Sequence, residues 1–142
     1  MTKLKNLINK IWWIPTVAMI PSFATFSAIE GRSMSPTLNP NTDKCRDIVL
    51  VLKTKQVERN KIYLLTHPNN PNLTLIKRIV GEETDLFWFG GKSVNVPEGA
   101  IWVESDEPYR GNDSRSFGPI PIGLLIGKAT AVVWPLNRIQ WL

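Results

Sequence analysis

The chain has 142 residues, of which 43% are hydrophobic and 20% charged, which fits one folded domain and excludes a disordered chain. Three of its five net positive charges come from Lys3, Lys5 and Lys10, so the rest of the chain lacks the basic stripe of a nucleic-acid-binding protein. A single cysteine, Cys45, and a single histidine, His67, exclude an intrachain disulfide and a zinc site of several thiolates. We expect neither a metal nor a cofactor.

The N-terminal segment is apolar after its lysines. Residues 11–29 contain no charge, and as a helix they would span roughly 28 Å, about one hydrocarbon core. A cleavable signal peptide and a retained anchor both fit this pattern, but the long uncharged stretch and the lack of a clear cleavage site before Glu30 favour the anchor. We therefore predict one transmembrane helix within residues 1–30. The lysines would stay on the cytosolic or matrix side, with the domain of residues 31–142 across the membrane.

The remainder of the chain predicts β structure. Short runs rich in β-branched residues are separated by many of the eleven prolines and nine glycines, which leaves little room for long helices. Residues 86–89 and 93–96 flank Gly90-Gly91 and predict a hairpin. The expected fold is a compact, mainly antiparallel β domain. The other predicted strands cover residues 47–53, 62–66, 73–80, 101–104 and 124–134.

Ser33 is a candidate nucleophile close to the end of the uncharged stretch, and therefore close to the membrane surface. The alternative is an ordinary serine in a turn, since the residues around it favour turns. Gly31 would let the backbone approach a substrate, and the Ser33 amide could donate to an oxyanion. A serine nucleophile needs a base, but His67 lies in a turn-rich stretch and is predicted on a surface loop. The sequence therefore favours a lysine base.

Lys77 meets the requirements of that base better than the other lysines. A solvated lysine has a pKa near 10.4 and is charged at neutral pH, whereas burial disfavours the charge and lowers the pKa. Strand alternation places Lys77 on one face with Leu75 and Ile79, where it would be desolvated. The alternative is that Lys77 lies at a strand edge, where its side chain would extend to place the amine in water. Arg78 on the other face cannot act as a base.

Three segments resemble the conserved boxes of type I signal peptidases. Residues 33–37 (S-M-S-P-T) resemble the serine box, residues 75–81 (L-I-K-R-I-V-G) the lysine box, and residues 112–120 (N-D-S-R-S-F-G-P-I) a box near the family's C-terminus. They occur in the family's order behind an N-terminal anchor. The short domain without insertions is most similar to the mitochondrial branch, the inner membrane protease, and to its second subunit.

The resemblance implies a membrane-anchored serine endopeptidase with Ser33 as nucleophile and Lys77 as general base. It implies Gly31 and the Ser33 amide at the oxyanion, and Asp113 and Arg115 as a supporting pair, joined by Arg78. The substrates would be precursor proteins bound as an extended strand, with small side chains just before the cut. The resemblance also implies a sister protease subunit and a single-pass protein of the mitochondrial inner membrane, with its catalytic domain in the intermembrane space.

The chain departs from the family pattern in two places besides Gly31. Gly111 stands where a serine that orients the lysine is common, and Ser105-Asp106 replaces the usual Gly-Asp. Two other interpretations remain. One is a bacterial or plastid type I signal peptidase, and the other is a non-catalytic partner subunit tethered to the membrane.

Overall fold

A computed structural model describes residues 23–40, 46–109 and 112–142 of the chain. These residues form ten strands, one short α-helix and two 3-10 helices. The strands are β1 (Ala24–Ala28), β2 (Ile48–Leu52), β3 (Ile62–His67), β4 (Asn70–Gly81), β5 (Leu86–Phe89), β6 (Lys92–Asn95), β7 (Ala100–Glu104), β8 (Ile120–Pro121), β9 (Leu125–Trp134) and β10 (Gln140–Trp141). The helix α1 covers Ser114–Phe117, and the 3-10 helices cover Ile122–Leu124 and Leu136–Arg138.

Eight of the described strands form one sheet in the order β1-β2-β9-β3-β4-β7-β8, with β10 paired to β9. Every pairing is antiparallel, while β5 and β6 form a separate hairpin. The predicted mainly antiparallel β fold is therefore confirmed, and so are its strands and the glycine turn at Gly90-Gly91, where both residues have positive φ. The two-residue strands β8 and β10 are too short to give a period-two pattern.

Part of the predicted transmembrane helix is a strand. Residues 24–28 form β1, whose backbone pairs with β2 from Ala24↔Leu52 to Ala28↔Ile48. The helical prediction is wrong for these residues because the neighbouring strand supplies their hydrogen-bond partners. The rest of the predicted anchor, residues 1–22, lies outside the described residues. Across the three described ranges, no helix has the length and hydropathy needed to cross a bilayer.

Strand β3 lies between β9 and β4 and is buried on both faces. Ile62 and Leu64 belong to one apolar cluster, while Tyr63 and Leu65 belong to a second cluster on the opposite face. The register pairs Tyr63 with Lys77 of β4, so the lysine lies on the face of the second cluster. The apolar layers on the two faces of β3 therefore extend over its neighbour β4, the strand that carries Lys77.

Candidate active site

Lys77 and Ser33 meet at the junction of β4 and the loop that follows β1. Lys77 Nζ lies 2.9 Å from Ser33 Oγ and 2.9 Å from the carbonyl oxygen of Ile76. Only 2% of the Lys77 surface is exposed, which confirms its predicted desolvation. The two residues are 44 positions apart in sequence, so only folding brings this hydroxyl and this amine into contact.

Burial lowers the pKa of Lys77 to about 8, although the negative charges of Asp113 and Asp106 act in the opposite direction. A fall from 10.5 to about 8 corresponds to about 3 kcal/mol in favour of the neutral amine. At pH 7, roughly one molecule in ten then carries a neutral amine, against about one in three thousand for a solvated lysine. The fold thus supplies a lysine that can accept a proton near neutral pH.

The loop that carries Ser33 is fixed by Asn39 and Asp47. Their side chains each accept a hydrogen bond from the other residue's backbone N–H, both at 2.8 Å, and Asn39 Nδ2 donates to the carbonyl oxygens of Ile29 and Gly31. Arg138 adds an ion pair of 2.9 Å to Asp47, whose side chain is 1% exposed. Gly31 has φ +79°, a conformation in which a side chain is strained. These contacts hold both ends of the loop.

Arg78 is held by Asp106, a residue that the sequence did not single out for this role. Arg78 Nε and Nη2 donate to the two carboxylate oxygens at 2.8 and 2.7 Å, and Thr37 donates to the same carboxylate at 2.6 Å. Burial alone would raise the pKa of Asp106, but the hydrogen bonds from Arg78 and Thr37 lower it overall. The backbone N–H of Glu107 also donates to the Ser33 carbonyl oxygen. The segment after β7 therefore braces the serine loop.

Asp113 and Arg115 form the pair that the sequence predicted. Arg115 Nε donates to Asp113 Oδ1 at 3.0 Å, and the Ser105 N–H donates to Asp113 Oδ2 at 2.9 Å. Burial alone would raise the pKa of Asp113, whereas these hydrogen bonds lower it overall. Asp113 also caps α1 by accepting from the Arg115 N–H. The Asp113 carboxylate is thus kept ionised, and its charge acts on the Lys77 amine. Gly111 lies outside the described residues.

His67 is buried, and its predicted place on a surface loop is wrong. It ends β3 with 8% of its surface exposed. Its Nδ1 accepts from the Asn69 N–H at 3.0 Å, its Nε2 lies 2.8 Å from the Asn112 side-chain amide, and its ring packs edge-on against Phe117. Both ring nitrogens therefore have partners other than Ser33. No group of three or more His, Cys, Asp or Glu residues within the described ranges could hold a metal ion.

A cleft of roughly 330 Å³ opens beside the pair. It is lined by residues 27–30, residues 73–77, Ser33 and Leu64. Strand β1 pairs only with β2 among the described strands, and residues 73–77 of β4 pair with β3 on one side only, since β7 pairs with β4 from Arg78 onward. Two unpaired backbone edges therefore line the cleft in which Ser33 and Lys77 lie.

The family model and the named relatives agree on one family. The model of "Signal peptidase, peptidase S26" matches residues 5–94 and 82–134. Mitochondrial inner membrane protease subunit 2 of Schizosaccharomyces pombe is 38% identical over 141 residues, covering 94% of this chain and 78% of that protein. The same subunit of Saccharomyces cerevisiae is 38% identical over 146 residues, covering 95% and 82%.

Among solved structures, a signal peptidase I from Enterococcus faecalis V583 is 20% identical with a TM-score of 0.45, covering 53% of this chain and 97% of that chain. The family match extends across most of the sequence, including the segments that carry Ser33, Lys77 and Asp113. The chain belongs to the signal peptidase family, peptidase S26.

Proposed function

We propose that this protein is a membrane-anchored serine endopeptidase that removes N-terminal sorting or signal sequences from precursor proteins with a Ser33/Lys77 dyad. One observation carries the proposal: the buried Lys77 amine lies 2.9 Å from the Ser33 hydroxyl. That distance lies within hydrogen-bond reach for a general base and its nucleophile. The lowered pKa of Lys77, about 8, supports the same assignment because a base must be able to exist unprotonated.

The reaction would begin when Ser33 Oγ attacks the scissile carbonyl carbon while the neutral Lys77 amine takes the hydroxyl proton. The Ser33 backbone N–H, which makes no hydrogen bond to another described residue, would donate to the developing oxyanion beside the open backbone of Gly31. The Lys77 ammonium then returns its proton to the departing amine of the mature protein. A water molecule, deprotonated by Lys77, would hydrolyse the ester and free Ser33 for another cycle.

The cleft accounts for the proposed substrate, an extended segment of a precursor. An extended peptide between the edges of β1 and β4 could pair with backbone groups that the sheet leaves unpaired. Leu64 and residues 73–77 would then meet alternate side chains of that peptide. The preference for small side chains just before the cut, which the family resemblance implies, is part of this proposal.

The relatives' names place those proteins in the mitochondrial inner membrane. We extend that location to this chain, with an N-terminal anchor of one span ahead of the catalytic domain, which would lie in the intermembrane space. Lys3, Lys5 and Lys10 before the uncharged stretch support this orientation, since basic residues stay on the inner side. A sister protease subunit would be the partner in the membrane. A C-terminal tag should become accessible to added protease when the outer membrane is ruptured, and protection of the tag would contradict this orientation.

The full chain in detergent provides the test of the dyad. Ser33→Ala and Lys77→Met should each abolish cleavage of a precursor, whereas Ser93→Ala and Lys92→Met, matched changes on the exposed β6 strand, should keep it. The wild-type kcat/KM should rise with pH around a midpoint near 8, because the neutral amine is the active form. Cleavage retained by Ser33→Ala, or a rate that does not change between about pH 6 and 9, would refute the dyad.

A further inference from the structure

Ser105 has a buried hydroxyl without a hydrogen-bond partner among the described residues. Its side-chain oxygen is inaccessible to solvent and makes no hydrogen bond to any residue of the described ranges, and only 6% of the residue is exposed. A buried polar atom without a partner is rare in folded proteins, because it forfeits the hydrogen bonds that it would make in water. The position of this hydroxyl therefore calls for a physical reason.

Ser105 directly follows Glu104, the last residue of β7 that pairs with β4. Strands β4 and β7 pair Ile79 with Val103 and Arg78 with Glu104, and the same antiparallel register, continued one residue past the last pair, would set Lys77 across from Ser105. Residues directly opposite in an antiparallel pair point to the same face, with Cβ atoms about 5 Å apart. A continued register would thus direct the Ser105 side chain to the face that holds the Lys77 amine.

The same hydroxyl lies next to the Asp113 carboxylate. The Ser105 N–H donates to Asp113 Oδ2 at 2.9 Å, and the Ser105 side chain is among the groups that lower the pKa of Asp113, after burial, which raises it. The charge of Asp113 in turn acts on Lys77. Ser105 therefore lies next to the carboxylate whose charge acts on the amine, although its oxygen does not meet hydrogen-bond geometry with Asp113 or Lys77.

We propose that Ser105 is a positioning residue for Lys77, whose hydroxyl accepts a hydrogen bond from Nζ and donates one to the Asp113 carboxylate. This inference rests on the proposed Ser33/Lys77 dyad. A rotation of the Ser105 side chain about its Cα–Cβ bond moves its oxygen toward these partners without any movement of the backbone.

The reason for such a residue lies in the geometry of a neutral amine. Its two N–H groups and one lone pair point in three directions, and only the lone pair can take a proton from Ser33. Ile76 accepts one N–H. When Ser105 accepts the second, the lone pair is directed at the Ser33 hydroxyl. Without Ser105 the amine can rotate and present an N–H to Ser33, which is an unproductive arrangement.

The test compares Ser105→Ala and Ser105→Thr with the wild-type full chain in detergent, using a fluorogenic peptide with alanine immediately before the scissile bond. Alanine keeps the backbone N–H that binds Asp113 and removes only the hydroxyl. It should lower kcat about 10- to 100-fold and leave KM within about twofold, because a misdirected base affects the chemical step and not substrate binding. Threonine keeps a hydroxyl and should retain most of the wild-type kcat.

The pH profile separates positioning from a merely structural role. Ser105→Ala should keep its activity midpoint near 8, since the burial that lowers the Lys77 pKa is unchanged. A loosened site would admit water and move that midpoint toward 10.5. Ser114→Ala is the matched control, because it removes another buried hydroxyl that only accepts from the Val103 N–H, and it should lower stability while kcat stays within about threefold of wild type.

Several results would overturn the inference about Ser105. These are a wild-type kcat in Ser105→Ala, a loss of kcat in Ser114→Ala as large as in Ser105→Ala, or a midpoint near 10.5 in Ser105→Ala. Ser33→Ala, measured in parallel, distinguishes this failure from that of the dyad. An inactive Ser33→Ala beside a fully active Ser105→Ala rejects only the role of Ser105, whereas an active Ser33→Ala rejects the proposed function itself.

Discussion

Lys77 should make the folded protein less stable at neutral pH than it would be without a buried amine. Its pKa is about 8 in the folded chain and 10.5 for the model group, and at pH 7 this difference corresponds to about 3 kcal/mol of lost stability. Lys77→Met has a similar shape and no charge. We therefore expect this substitution to abolish cleavage and yet raise the melting temperature at pH 7 by about 10 °C.

The pH dependence of this gain follows from proton binding. Between pH 8 and 10.5 the unfolded chain binds one more proton than the folded chain at Lys77, so the wild type becomes more stable as the pH rises. Lys77→Met lacks this dependence. Its advantage over the wild type should therefore fall from about 3 kcal/mol at pH 7 to less than about 1 kcal/mol near pH 10.5.

Thermal unfolding followed by circular dichroism in a series of buffers measures both effects on the full chain in detergent. Lys92→Met, on the exposed β6 strand, is the control and should change the unfolding free energy by no more than about 0.5 kcal/mol. A Lys77→Met protein that is no more stable than wild type at pH 7, or whose advantage is equal at pH 7 and 10.5, would mean that this amine is not desolvated in the folded state.

Three further substitutions test the surroundings of the site. Asp106→Asn removes a charge that raises the pKa of Lys77, so the pH midpoint of activity should move below 8. The weakened contacts with Arg78 should also reduce stability by about 2 kcal/mol. An unmoved midpoint in rate measurements would show that this charge does not act on the amine. Asp47→Ala should cost about 3 kcal/mol in denaturant unfolding, because it leaves the partly buried Arg138 and a buried backbone N–H without this acceptor. A loss below about 1 kcal/mol would contradict the role of Asp47 in fixing the serine loop. Gly127→Ala should lower stability by about 3 kcal/mol because its Cβ would lie 2.4 Å from a β2 carbonyl oxygen. Gly123→Ala is the control and should be tolerated, because the space around Gly123 is open. Equal melting temperatures for the two variants would refute this packing.

The strands could be predicted because their signals are local. The runs that became β2, β3, β4 and β9 combine β-branched residues with flanking turn residues, and neither feature depends on distant contacts. The hairpin of β5 and β6 follows from its pair of glycines for the same reason. Near Ser33 and Lys77 the motifs indicated the chemistry, and the apolar neighbours of Lys77 indicated its desolvation.

Other features depend on which segments lie side by side. Residues 24–28 have the composition of a membrane span, and only pairing with β2 makes them a strand. His67 stands in a sequence full of turn residues, yet contacts with Asn112 and Phe117 bury it. The role of Asp106 was likewise hidden, because its partners Arg78 and Thr37 are distant in sequence.

By itself the sequence determined the β fold, the nucleophile candidate and the lysine that could serve it, since these depend on residue type and local pattern. Only the tertiary structure decided that the Lys77 amine is sealed from water, that its nitrogen lies within hydrogen-bond distance of the Ser33 hydroxyl, and that the Ser105 N–H donates to the Asp113 carboxylate. Desolvation and interatomic distances depend on how segments that are distant in sequence pack together, and that packing exists only after the sheet has formed.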